Sequence, residues 1–235
     1  MKRVPTHPTS VKRQRGGASK QESEAPGRTA SSDVPARRAE RAAERRAAIL
    51  HAALDEFGAR GFAAARLEDV AKRAGVAKGT IYLHFADKEA LFQELIRSVL
   101  VPVMNRLTVE PPAEVPTRTL LEIFAATFMR EVATTRRADV LRLIMAEGVR
   151  FPSLAEFHFR NVVEPGLAGL RRLIQRGIDR GEIRNPGLAE FPQLAVAPAM
   201  LAVVWQGLFG HLSPLDVEAM MRAHIDLIFG ERSGA

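Results

Sequence analysis

The run Ala77-Lys78-Gly79-Thr80-Ile81-Tyr82-Leu83-His84-Phe85 sets hydrogen-bonding side chains at helical spacing beside two very small residues. Lysine, threonine, tyrosine and histidine in that order can donate to phosphate oxygens and touch base edges, while Ala77 and Gly79 let the backbone come close. Bond-making chemistry lacks its usual residues. The chain has no cysteine, which excludes disulfides, thiolate zinc sites, iron–sulfur ligation and a cysteine nucleophile. His7, His51, His84, His158, His211 and His224 show no i, i+4 pairing and no carboxylate at zinc-site spacing. There is no Gly-x-Ser-x-Gly elbow, and Gly75 to Thr80 has its lysine and glycine in the wrong order for a phosphate loop. The expectation is a binding protein without enzyme activity, cofactor or metal.

Those donors need rigid elements behind them. From Arg37 onward Ala, Leu, Arg and Glu dominate and no period-two stretch of strand length occurs, so the fold class is all-α. Glycine and proline breakers divide the chain into helices expected at 38–60, 67–74, 78–84, 88–106, 116–134, 137–149, 152–180, 187–211 and 214–229. Pro102, Pro165 and Pro198 are expected to kink or split theirs. In the first helix Ala47, Leu50, Leu54 and Phe57 share one face, opposite Arg45, Arg46, Asp55 and Glu56. Leu67, Val70, Ala71 and Ala74 then fall at i, i+3, i+4 and i+7. Gly75 follows, where a tight turn wants positive φ, then Val76 and the helix that begins at Lys78. This is a helix-turn-helix, whose second helix would place Ala77, Lys78, Gly79 and Thr80 nearest base edges. Tyr82 and His84 would face the flanking phosphates, with Ile81 and Phe85 in the core.

The string from Gly75 through Lys88-Glu89-Ala90-Leu91, with Phe57-x-x-x-Gly61-Phe62 and Glu68-Asp69-Val70-Ala71 ahead of it, resembles the tetracycline-repressor (TetR) family signature over about residues 45–95. The resemblance implies a three-helix DNA-binding head and a C-terminal helical domain that binds an effector and dimerises, with Lys88 as a phosphate anchor. One departure stands out. The family often carries capping hydroxyls where this chain has Ala65 and Arg66; a lost cap costs about 1 kcal/mol, although Arg66 could reach a phosphate instead. Phe151 to Pro165 and Gly177 to Arg184 resemble a subgroup of the family's C-terminal domains.

Residues 1–47 hold 12 Lys/Arg against 5 Asp/Glu, the whole of the formal net charge of +7. Residues 1–36 have almost no large apolar side chains, so they are expected to be a disordered basic arm, either drawn to DNA phosphates or merely solvated. The domains expected after it are 37–93 (DNA-binding), 94–230 (effector binding and dimerisation) and a tail, 231–235. The N-terminus is not a secretory signal, and the longest apolar run, Leu194 to Trp205, is too short for a membrane span. A cytoplasmic, nucleoid-associated protein is expected.

One head, with six basic and six acidic side chains in 48–93, is a poor polyanion binder, so a homodimer reading two half-sites is expected. Val217, Met221, His224 and Ile228 form a stripe, and Ala199 and Ala202 on the preceding helix permit close crossing. They would form either a dimer interface or the chain's own core. Phe124, Phe128, Met129, Met145, Phe159 and Trp205 are candidates for a hydrophobic effector pocket, or again for ordinary core. The function expected is a repressor that binds a palindromic double-stranded operator and is released by a small hydrophobic or aromatic ligand. The alternative is a DNA-bound scaffold without an effector.

Overall fold

In a computed structural model, the structure describes residues 33–107 and 112–229. Asp33–Arg41 belongs to one compact unit and the described residues from Ala42 onward to a second. All regular elements among the described residues are helical. The first helix, α1 (Asp33–Ala64), begins inside the stretch expected to be disordered, because the Ala-Arg-Glu-rich sequence after residue 36 propagates helix towards the N-terminus. The remainder of that arm, residues 1–32, and the tail from residue 230 lie outside the described residues.

Then come α2 (Leu67–Arg73), α3 (Lys78–His84) and α4 (Lys88–Val99). The helix expected over 88–106 divides at Leu100 into α4 and α5 (Val101–Leu107), with Pro102 in the first turn of α5. α6 (Thr117–Phe128) opens into a π turn at Met129–Ala133 and is followed by α7 (Arg137–Glu147) and α8 (Pro152–His158). A second π turn, Phe159–Val163, leads into α9 (Glu164–Asp179). Pro165 has no N–H for the ladder, and the widened turn lies directly before it. The helix expected over 187–211 is interrupted at Phe191-Pro192, giving α10 (Gly187–Glu190) and α11 (Gln193–Leu208), and α12 (Val217–Phe229) completes the order. Pro198 stays inside α11.

The core begins with the expected face of α1. Leu50, Leu54 and Phe57 are buried, whereas Ala47 is exposed. Phe57, Phe62 and Phe92 meet with ring centroids 5.4–5.6 Å apart, and Phe151, ahead of α8, packs edge-on to Phe62 at 4.8 Å. These four rings join α1 and α4 to the C-terminal helices. Glu56, expected on the solvated face, is buried instead. Its carboxylate lies 3.0 Å from Arg60 Nε and 3.1 Å from Arg73 Nη2, so two guanidinium groups balance the burial and tie α1 to α2.

Candidate functional site

α2 ends in a Schellman motif. Gly75 has φ 68°, its N–H donates to Lys72 O at 3.2 Å, and the Val76 N–H donates to Ala71 O at 3.0 Å. Val76 then folds back onto the core and starts the turn into α3. Ile81 and Phe85 are buried and fix α3 against the other helices of the head. Ala77, Lys78, Gly79, Tyr82 and His84 are left exposed on its outer side, with Thr80 half-buried at the edge. Arg66, at the N-terminus of α2, is exposed and caps nothing with its side chain. Leu83 is 86% exposed, a large apolar residue on the same outer surface, and sequence reasoning missed it. The signal was present, since position 83 lies off the 81/85 stripe.

Two of the outward donors are held by one carboxylate. Lys78 Nζ lies 3.0 Å from Glu68 Oε1, and the Tyr82 hydroxyl donates to the same oxygen at 3.0 Å. The hydrogen bond from Lys78, with a smaller one from Tyr82, pulls the Glu68 carboxyl down to about 2, and Glu68 in turn raises both Lys78 and Tyr82. All three side chains are solvated, so the cluster orients them more than it stabilises the fold. A phosphate oxygen would compete for the same N–H and O–H groups.

Lys88 is differently placed. Its ammonium donates to Phe62 O at 2.8 Å and Ala63 O at 2.7 Å, and lies 4.9 Å from the centre of the Phe62 ring. The C-terminal carbonyls beyond the bend in α1 attract a cation, as helix ends do. Gly61, with φ 71°, makes that bend. The Phe62 N–H donates to Glu147 Oε1 at 3.0 Å, and a Cβ on Gly61 would stand 2.7 Å from that oxygen. The segment 61–63 is thereby gripped from α4 on its carbonyl side and from α7 on its amide side.

A cavity of about 390 Å³ lies among α5, α6, α9 and α11. Phe124 and Phe128 line it, with Leu100, Val103, Met104, Val162, Leu170, Val196 and Met200. Four of the candidate lining residues do not. Met129 and Phe159 each follow a residue that does face the cavity, Phe128 and His158, and are turned about 100° away by helical geometry. Met145 is half-exposed, and Trp205 donates from Nε1 to Ser213 O at 2.8 Å with its ring edge-on to Phe209. The dimer candidates divide likewise. Ala199, Ala202, Val217 and Met221 are buried in the chain's own core. His224 and Ile228 line a groove of about 690 Å³ with Leu194, Leu201 and Leu227, and burial lowers the His224 pKa. Leu194, Leu201 and Leu208, spaced by seven, and Leu227 are the exposed apolar side chains of α11 and α12 that the sequence reading passed over.

Residues 49–95, which include α2 and α3, match the family model for bacterial regulatory proteins of the tetR family, and residues 111–227 match the tetracyclin repressor-like C-terminal domain model. The chain belongs to the TetR family. It is 31% identical to the HTH-type transcriptional repressor KstR2 of Mycolicibacterium smegmatis over 60% of this chain and 69% of that protein. Its fold is shared with the regulator FadR of Bacillus subtilis in complex with stearoyl-CoA. The TM-score is 0.62 at 21% identity, over 78% of this chain and 97% of that one. It is shared too with SmeT in a triclosan complex, at TM-score 0.67 and 19% identity, over 82% and 95%. This is a DNA-binding transcriptional regulator with a helix-turn-helix head and a C-terminal helical domain. No helix among the described residues is long and apolar enough to cross a membrane, and no three acidic or histidine side chains among them gather into a metal site.

Proposed function

We propose that this TetR-family chain is a homodimeric cytoplasmic repressor. Its head, residues 37–93, reads a palindromic operator, and its domain over 94–230 dimerises and is switched by a small hydrophobic ligand. The observation that carries the operator reading is the seating of α3. Buried Ile81 and Phe85 hold it while Ala77, Lys78, Gly79 and Tyr82 stand outward at its leading edge. Lys78, Thr80 and Gly79 suit base edges; Arg66, Tyr82 and His84 suit phosphates, and Leu83 suits a thymine methyl. Lys88 acts chiefly by fixing the bend at 61–63, with its remaining N–H available to a phosphate.

The exposed leucines of α11 and α12 support a face between two copies, with His224 and Ile228 at its groove. The apolar cavity supports an effector site, as do the ligand complexes of the two structural neighbours. Glu147, at the end of α7, links that domain to the head through the Phe62 amide, so a shift of α7 would reorient α2 and α3.

The test is a gel-shift titration on DNA selected from a random pool. Lys78→Ala and Thr80→Ala should each lower affinity for the preferred sequence about tenfold and alter the preference, as expected for lost base contacts of about 1–3 kcal/mol. Unchanged affinity and preference in both variants would overturn the assignment.

A further inference from the structure

The cavity wall is apolar except at two places. Gln193 stands at the exposed rim, at the start of α11, and His158 closes the last turn of α8. No Lys, Arg, Asp or Glu lines it. His158 Nδ1 is buried and has no hydrogen-bond partner, so no protein group bonded there fixes the ring's tautomer or its rotation. A buried polar atom left unbonded is costly, and natural proteins keep few of them. Apart from Gln193, the other residues that line the cavity carry no side-chain nitrogen or oxygen to complete the bond.

We propose that His158 is the specificity-determining residue of this cavity, accepting a hydrogen bond from the single hydroxyl of an otherwise apolar, uncharged ligand of alcohol or phenol type. The proposal rests on the reading of the cavity as the effector site. Three features narrow the ligand. The volume is near the lower end for small-molecule sites, which suits a compact body. A carboxylate or ammonium would enter without a counter-charge, and burying an unpaired charge is prohibitive. The imidazole itself does not supply the charge, because burial pushes its pKa down to about 4 and leaves it neutral near pH 7. A pure hydrocarbon would fill the space and leave the nitrogen unbonded.

Three probes of similar size separate these cases: 4-butylphenol, butylbenzene and 4-phenylbutyrate, titrated calorimetrically into the full chain at pH 7.5. The wild type should bind butylphenol about three- to tenfold tighter than butylbenzene, the worth of one hydrogen bond, and phenylbutyrate weakest of the three. His158→Phe should bring butylphenol and butylbenzene to within about twofold while keeping both bound. Gly166→Leu projects a side chain from α9 towards Met104, whose sulfur already lies 3.3 Å from the Cβ position, and should abolish binding of both. Equal binding of phenol and benzene by the wild type, tightest binding of phenylbutyrate, or a preference that survives in His158→Phe would overturn the role of His158 and leave the cavity reading intact. The wild-type comparison needs no variant to fold. No binding of any probe, or binding untouched by Gly166→Leu, would remove the cavity as the effector site and the proposal with it.

Discussion

Replacing Gly61 by alanine isolates the joint between head and C-terminal domain. At φ 71° and ψ 162° Gly61 occupies a region essentially reserved for glycine, where an alanine pays about 1–3 kcal/mol. Its Cβ would also stand 2.7 Å from Glu147 Oε1, closer than such atoms approach, so the carboxylate must move. Moving it breaks the 3.0 Å bond from the Phe62 amide, and an unsatisfied buried donor adds about 1–3 kcal/mol. The expected total is about 2–6 kcal/mol. Gly75→Ala is the control, with φ 68° and nothing within 4 Å of the added Cβ, so it should cost only about 1–2 kcal/mol. Any entropy removed from the unfolded chain is common to both substitutions and drops out of the comparison. Urea denaturation at one fixed protein concentration measures both, and the comparison is repeated in a Glu147→Ala background. There the clash is gone, and Gly61→Ala should fall to its backbone penalty alone, about 1–3 kcal/mol. Equal costs for the two glycines in the wild-type background, or a Gly61→Ala cost unchanged by Glu147→Ala, would refute the close approach.

Lys88→Ala should lower stability by about 1.5–3 kcal/mol without any DNA present, since two carbonyls lose a charged donor; an unchanged urea midpoint would assign the ammonium to DNA alone. The ligand-free wild type should lose stability on acidification. The folded His158 titrates at about 4 against an ordinary 6.5, so the unfolded chain binds the proton more readily. The stability from keeping the ring neutral is fully present above about pH 6.5 and is lost as pH falls towards 4. It amounts to about 3 kcal/mol, and His158→Phe should flatten that part of the pH profile. Leu201→Glu and Leu227→Glu should convert dimer to monomer in light scattering, because each places a charge on an apolar face twice per dimer; a dimer in both variants would move the interface elsewhere.

The head was legible because its determinants are local. The 67/70/71/74 spacing, the glycine at 75 and the Ile81/Phe85 pair each act within a few residues, and α2 and α3 lie within a residue of their expected limits. The C-terminal half was less so, for two physical reasons. Neighbouring apolar positions on a helix point about 100° apart, and composition does not say which of them looks inward, so Phe128 reaches the cavity while Met129 does not, and His158 does while Phe159 does not. Apolar stripes do not say which copy covers them, and Val217 and Met221 are buried in their own chain while Leu201 and Leu227 point out. The Glu147–Phe62 and Lys88–Ala63 bonds join residues 85 and 25 positions apart and leave no periodic trace in the sequence.

Selection of bound sequences from a random double-stranded DNA pool tests most directly whether two α3 leading edges read the major groove together. The expected consensus is an inverted repeat with half-site centres about one or two helical turns apart, about 34–36 Å per turn, and Lys78→Ala should blur it at symmetric positions in both halves. A single unrepeated site, or no enrichment over the starting pool, would contradict a twofold pair of helix-turn-helix heads.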